Sequence, residues 1–154
     1  MRMSKIKRIR IMPPTYFWAM LIASVLLHFF VPVKKLIASP YNYLGILLVV
    51  FGIIINLMTD SLFKKAKTCV KPHEMPRSLV VSGPFRISRH PMYLGMLAIL
   101  FGAAILLGSI MTFIPPIIFL VLMECLFIPM EERNLKKRFG SSYLDYKKSV
   151  RRWI

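Results

Sequence analysis

Residues 91–130 read PMYLGMLAILFGAAILLGSIMTFIPPIIFLVLMECLFIPM, and Glu124 is the one charged residue among these 40. A helix needs about 20 apolar residues to cross the hydrocarbon core of a bilayer, so this run has room for two crossings. Gly108-Ser109 and Pro115-Pro116 interrupt the run with a turn signal followed by a helix-start signal. The run therefore predicts a tight helical hairpin, with spans over 92–107 and 114–130.

Two further apolar runs precede this hairpin. Residues 11–33 and 36–59 contain no Asp, Glu, Lys or Arg, and each is long enough for one span, which we expect over 13–33 and 40–59. The mean hydropathy of +0.61 excludes a disordered chain, and two cysteines are too few for a disulfide scaffold. The predicted fold is all-α: a single domain over 1–154, forming an integral-membrane bundle of four transmembrane helices followed by a C-terminal cytoplasmic amphipathic helix.

The charges orient this bundle. The formal net charge is +16, and residues 1–10, 60–90 and 131–154 together carry 20 of the 22 Lys and Arg residues. Four spans place these three segments on one side of the membrane, which the positive-inside rule makes cytoplasmic. We therefore expect an integral protein of the cell membrane with both termini in the cytoplasm. Because the cations flank the spans, anionic lipid headgroups are the expected partners and nucleic acid is not.

The chain after the fourth span predicts a tail helix over 131–150. Apolar and aromatic residues recur there at three- or four-residue spacing, at Leu135, Phe139, Tyr143, Tyr146 and Val150. This spacing is also typical of a helix that lies on the membrane surface as an anchor.

Polar residues within the spans are the first candidates for function. A carboxylate inside an apolar span costs about 2.5–3.5 kcal/mol on insertion scales, so Glu124 is expected to face the bundle interior or a water-filled cavity. It precedes Glu131 by seven residues, which places both on about the same face of a helix. A protonated or hydrogen-bonded structural glutamate is an equally good interpretation of Glu124. For His28 and Asn56, polar contacts between helices are favoured over a functional role.

A polar cluster is expected where the third span begins. Pro91 starts the helix and leaves backbone N–H groups free near Arg89, so an anion such as a carboxylate could bind there. His90 and Tyr93 are three residues apart and share a face. With Glu131 and Glu132 at the end of the fourth span, these residues predict a polar pocket at the cytoplasmic membrane face. No metal is expected in it, because the three histidines are far apart in the sequence.

These residues carry a resemblance that covers more than half of the chain. Its elements are the segments 79–86 (LVVSGPFR), 89–95 (RHPMYLG), 131–135 (EERNL), 139–140 (FG) and 143–146 (YLDY). In this order and spacing they resemble the isoprenylcysteine carboxyl methyltransferase and phospholipid methyltransferase superfamily. The Gly-x-Gly element of phospholipid-methylating relatives is absent, because Met96 and Leu97 follow Gly95.

The resemblance implies S-adenosylmethionine as the methyl donor. It implies a cofactor site built by the last two spans, and it makes the tail helix a lid over that site. The residues it assigns to the cofactor are His90, Pro91, Tyr93, Leu94, Gly95, Glu131, Glu132, Tyr143 and Tyr146.

The acceptor is expected to be membrane-associated or lipophilic. The superfamily resemblance favours a carboxylate, which needs no base. Arg89 or Arg133 could bind this carboxylate through two parallel hydrogen bonds, as in a fork. An amine or thiol acceptor must lose a proton, and Glu124, His90 or a tyrosine could take it. The predicted catalytic residues are therefore Arg89, Glu124 and Arg133. A non-catalytic membrane scaffold and a steroid-reductase-like enzyme using a nicotinamide cofactor are the remaining alternatives.

Overall fold

A computed structural model describes residues 12–31, 35–68 and 77–154 of the chain. The structure is all-helical, with 78% of its residues in helices. Its principal helices are α1 (Pro13–Phe30), α2 (Leu44–Lys65), α3 (Pro91–Leu107), α4 (Ile114–Leu122), α5 (Ile128–Phe139) and α6 (Ser141–Ser149). Short 3₁₀ turns at Tyr41–Tyr43, Gly83–Arg86 and Ile110–Phe113 join them.

Three of these helical segments are long and apolar enough to cross a membrane. They are Pro13–Phe30, Tyr41–Lys65 and Ile110–Phe139, while the apolar helix α3 is shorter at 17 residues. The second helix continues six residues past the predicted end at 59, where Lys64 pairs with Asp60 one turn earlier at 2.5 Å. The first helix ends at Phe30 rather than at 33, and the last part of that prediction lies outside the described residues.

The predicted helical hairpin is present, formed by α3, a tight turn and α4. Pro91 occupies the first position of α3, and Gly108 ends the helix in the left-handed conformation with φ 70°. The Gly108 carbonyl oxygen accepts hydrogen bonds from the backbone N–H groups of Leu36 and Ile37, at 2.7 and 3.1 Å. This turn is therefore bonded to the connection between α1 and α2.

Glycines bring α2 and α3 into direct contact. Gly45 and Gly52 of α2 face Gly102 and Gly95 of α3, with seven residues separating the two glycines on each helix. A Cβ on Gly102 would lie 2.6 Å from the Gly45 carbonyl oxygen, far closer than carbon and oxygen pack. The two backbones approach closely because these four positions have no side chain, as at other helix contacts built from small residues.

The fourth span and the tail do not divide where the sequence predicts. Instead of separate helices over 114–130 and 131–150, one helical rod runs through α4, a π-helical turn at Met123–Phe127, and α5 to Phe139. The break comes at Gly140, whose φ of 53° and ψ of −121° suit a residue without a Cβ. Glu131 and Glu132 therefore extend the rod, and the separate tail helix is α6.

The buried core lies where α3 and the long rod pack against α1. Leu100, Phe119, Met123, Phe127 and Ile128 are fully buried there. Large apolar side chains cover the outer faces of α1 and α2, where lipid would meet them, at Trp18, Phe29, Phe30, Leu47 and Leu57 among others.

Neither of the two residues assigned to polar contacts between helices shows one at the atom concerned. The Asn56 side chain lies against Gly95 of the neighbouring helix, but its Oδ1 is buried without a hydrogen-bond partner among the described residues. The expected hydrogen bond of His28 is not seen at Nδ1, which is buried without a partner among the described residues. The His28 ring instead packs edge-on against Phe29, with centroids 5.3 Å apart.

Candidate functional site

A cavity of about 110 Å³ lies at the start of α3. The beginning of α1, the end of α2 and the turn before α3 supply mostly apolar walls, through side chains that include Met12, Phe63, Phe85 and Met96. Arg89, His90, Tyr93 and Glu131 supply its polar part. A mainly apolar pocket with a few polar groups at one place is typical of small-molecule sites.

His90 is buried between two carboxylates. Its Nδ1 lies 3.4 Å from Glu131 Oε2, and its Nε2 lies 3.6 Å from Glu132 Oε1. Its ring stacks on Tyr93 at a centroid distance of 5.7 Å. Burial lowers the pKa of His90, but the two adjacent carboxylates outweigh burial, so the pKa lies above its usual value.

Glu132 is the centre of a buried charge network behind this wall. Its carboxylate accepts hydrogen bonds from Arg89 Nη1 at 2.7 Å, Lys147 Nζ at 2.9 Å and Arg152 Nε at 3.2 Å. Only 7% of Glu132 is exposed, so these cations provide the pairing that a buried carboxylate requires.

The two tyrosines of α6 complete this network. The Tyr143 hydroxyl accepts a hydrogen bond from Arg89 Nη1 at 3.4 Å, and the Tyr146 hydroxyl donates to the Phe85 carbonyl oxygen at 2.6 Å. Burial raises the pKa of both hydroxyl groups above the usual value. Both tyrosines are therefore protonated at neutral pH, which disfavours either one as a general base.

Glu124 lies in the π-helical turn and is paired with the chain's last residues. Its carboxylate accepts a short hydrogen bond from Arg152 Nη1 and a second from Trp153 Nε1 at 3.0 Å. A π-helical turn holds one more residue than an α-helical turn, so Glu124 aligns with Glu132, eight residues later, rather than with Glu131 as predicted. The same guanidinium contacts both carboxylates.

The segment 150–153 is the part of the site that the sequence analysis missed. It runs beside the residues that precede α3: Arg89 N–H donates to the Arg151 carbonyl oxygen at 3.1 Å, and Ser88 Oγ donates to that of Arg152 at 3.0 Å. Trp153 packs on the core cluster. The one sequence signal was the presence of a tryptophan in an otherwise strongly basic segment.

The residues predicted from the sequence fall into three groups. Those in the cavity wall are Arg89, His90, Pro91, Tyr93 and Glu131. Those in the charge network behind it are Glu132, Tyr143 and Tyr146, which Glu124 joins through Arg152. The structure does not bring Leu94, Gly95 or Arg133 to the cavity: Gly95 contacts α2, Leu94 is half-buried in α3, and Arg133 is exposed on α5.

Two comparisons with known proteins bear on this site. The family model for phospholipid methyltransferase matches residues 40–142, about two thirds of the chain, which include the cavity residues of α3 and α5. An uncharacterized protein of Haemophilus influenzae is 38% identical over 63 residues, which are 41% of this chain and all of that protein.

Proposed function

Because the chain belongs to the phospholipid methyltransferase family, we propose that it transfers a methyl group from S-adenosylmethionine to a membrane-associated acceptor at the cavity beside His90 and Glu131. The family implies methyltransferase activity in a membrane, and the apolar helices agree with that setting. The donor, its position and the acceptor are the proposal.

One observation carries the placement of the donor. Glu131 Oε2 and His90 Nε2 are buried and make no hydrogen bond among the described residues, although each faces an opposite charge, His90 Nδ1 at 3.4 Å and Glu132 Oε1 at 3.6 Å; both residues line the cavity. Buried polar atoms without a hydrogen bond are costly, so a ligand that bonds to them gains affinity. The donor's ammonium group matches the Glu131 carboxylate, and the free N–H groups at the start of α3 match the donor's carboxylate.

The chain's part in the reaction is then to position the donor and the acceptor and to exclude water from the reacting atoms. When bound, S-adenosylmethionine would supply a methyl group activated by its bond to a sulfonium sulfur: an acceptor atom bonds to the methyl carbon as the carbon–sulfur bond breaks, and S-adenosylhomocysteine is the leaving group. The apolar walls at Met92, Met96 and Phe85 keep water from the reacting atoms, and the buried pairing of Arg89 with Glu132 holds the polar end in place.

We propose an amine acceptor rather than a carboxylate. Arg133 is exposed away from the cavity, and Arg89 donates from Nη1 to Glu132, while its Nε is buried without a hydrogen-bond partner among the described residues. The remaining anion in the wall, Glu131, favours a cationic headgroup at the site. Its carboxylate or His90 would accept the proton that an amine must lose before it attacks the methyl group.

We further propose four spans, with both termini and the lid helix α6 on the cytoplasmic side of the cell membrane. Helix α3, with 17 residues, would cross with the help of the turn that follows it. The lid assignment rests on two side chains of α6: Tyr143 is buried, and Tyr146 contacts the turn before α3. Anionic headgroups would then meet the exposed cations of this face.

Donor binding is tested by calorimetry with S-adenosylhomocysteine on the detergent-purified chain. Glu131→Gln should weaken binding by about tenfold or more, since a charged hydrogen bond is typically worth about 1.5–3 kcal/mol. Asp145→Asn is the matched control, because Asp145 is an exposed carboxylate whose ion pair is with the exposed Lys148 of the same helix. A folded wild-type chain that does not bind at millimolar concentration would exclude the proposal and favour a scaffold, and unchanged binding in Glu131→Gln would remove Glu131 from the donor site.

The acceptor class is tested by methyl transfer in reconstituted vesicles, followed by mass spectrometry. Parallel reactions contain phosphatidylethanolamine, a prenylated cysteine with a free carboxylate, or a long-chain thiol. Methylation of the amine lipid alone is expected. Methylation of the carboxylate alone would contradict the amine proposal and would point to Arg89, whose Nε is unpaired among the described residues, as the group that holds the acceptor.

A further inference from the structure

The strongest unassigned feature is a single guanidinium that joins two carboxylates from different turns of one rod. Arg152 contacts Glu132 through Nε at 3.2 Å and through Nη2 at 3.3 Å, one nitrogen to each carboxylate oxygen. Its remaining nitrogen, Nη1, donates to Glu124. All three side-chain nitrogens of Arg152 therefore donate hydrogen bonds, an arrangement that the planar guanidinium group of arginine allows.

The two carboxylates depend on Arg152 to different degrees. Glu132 also has Arg89 and Lys147 as partners. For Glu124, by contrast, Arg152 is the only cation within ion-pair distance in the part of the chain that the structure describes. A carboxylate at the edge of an apolar span is expensive without a counter-charge, so Arg152 has a distinct role there.

We propose that Arg152 is a positioning residue of the methyl-transfer site, which fixes the Glu132 carboxylate against Arg89 and His90 by tying it to Glu124. The inference rests on the proposed function. Arg152 is not part of the cavity wall, so it acts through Glu132, which also contacts Arg89 and His90, two residues that do line the cavity.

The backbone of the same segment supports this role. Hydrogen bonds from Ser88 and Arg89 hold residues 151 and 152 beside the start of α3, which limits where the guanidinium can lie. Trp153 adds a hydrogen bond to the second oxygen of Glu124. The arginine is thereby fixed on three sides, by α3, by the π-helical turn and by α5.

The test compares neighbouring arginines. Arg152→Gln should weaken S-adenosylhomocysteine binding by about tenfold, because the Glu132 carboxylate and its partners lose their fixed geometry. Arg151→Gln removes the same charge from an exposed side chain and should change the dissociation constant by less than about twofold. Thermal unfolding of both variants, followed by tryptophan fluorescence, shows whether they fold.

Chemical rescue separates positioning from a general loss of packing. Guanidinium at about 20 mM, far below denaturing concentrations, should restore part of the affinity of Arg152→Ala, whereas urea at the same concentration should not. Arg152→Lys should stay impaired, because one ammonium cannot hold both oxygens of Glu132 and Glu124 together. If Arg152→Gln does not fold, Arg152→Lys is tested in its place, and wild-type affinity in that variant would overturn the proposal.

A double-mutant cycle gives the decisive measurement. If Arg152 works by joining the two carboxylates, Glu124→Gln weakens binding by itself and adds little to Arg152→Gln. If the two substitutions instead weaken binding independently, so that their fold-changes multiply in the double variant, the proposed link between Arg152 and Glu124 would be contradicted. A wild-type chain that does not bind S-adenosylhomocysteine would instead refute the proposed function, so the two failures are distinguishable.

Discussion

His90, like its neighbour Arg89, lies where the cavity wall and the buried charge network meet. Its two nitrogens face Glu131 in the cavity wall and Glu132 behind it. Arg89 and Lys147 also face Glu132, and the Tyr93 ring covers one side of the imidazole. The protonation of His90 therefore links the charge of the wall to the stability of the network.

This placement predicts a pH dependence of stability with a defined sign. Because the pKa of His90 is raised in the folded chain, its contribution is fully present below the unfolded value of about 6.5 and is lost as pH rises through the folded value. The unfolding temperature of wild type should therefore fall over this range. His90→Gln should flatten that slope, and His28→Gln should leave it in place. An unchanged slope in His90→Gln would assign the effect to another group.

Much of the cavity could be predicted residue by residue from the sequence. The arginine that supports it from behind, Arg152, could not. His90, Tyr93 and Glu131 belong to two short motifs whose order and spacing indicate one site. Arg152 belongs to a basic segment that reads as membrane-surface charge, and its partners lie 20 and 28 residues earlier. Nothing in a single sequence distinguishes such an arginine from the solvated one beside it.

Among the helices, the α2–α3 contact is the closest and the most sensitive to added volume. Gly52→Ala would place a Cβ 2.7 Å from Ile99 Cγ1 and against the backbone of Gly95, which cannot move aside as a side chain could. We expect a loss of about 1–3 kcal/mol in the free energy of unfolding, the usual cost of overpacking. Reversible unfolding in mixed detergent micelles measures it.

A substitution elsewhere on α2 provides the control. Ser61→Ala changes a small residue on an exposed position of the same helix and should leave stability within about 0.5 kcal/mol of wild type. Equal losses from both variants would mean that α2 is sensitive along its whole length rather than at the glycine contact.

Helix positions followed from the sequence more reliably than helix ends did. Proline and glycine located the hairpin, because Pro91 and Gly108 act through local backbone geometry. The π-helical turn has no comparable local signal, since it exchanges one hydrogen-bond pattern for another among ordinary apolar residues. A strict 3.6-residue period therefore paired Glu124 with the wrong glutamate.

The distribution of Lys and Arg along the chain predicts how the whole molecule is oriented in the membrane. We expect the turn at Ile110 to lie on the outer side and α6 on the cytoplasmic side. Ile110→Cys and Ser142→Cys, both at exposed positions, are introduced separately after Cys69 and Cys125 have been replaced by alanine. A membrane-impermeant maleimide should label the first in intact spheroplasts and the second only in inverted vesicles. Labelling of both from the same side would require an even number of spans between them and would contradict the proposed topology.

The pairing of Glu124 with Arg152 also has a consequence for biosynthesis. Glu124 leaves the ribosome 28 residues ahead of the arginine that neutralises it, so the translocon meets this carboxylate alone. The penalty of about 2.5–3.5 kcal/mol for an acidic residue in a span must then be met by the apolar residues around it. The run of Ile, Phe, Leu and Val before Glu124 is therefore more than a lipid-facing surface, because it carries an acid into the bilayer before its partner has left the ribosome.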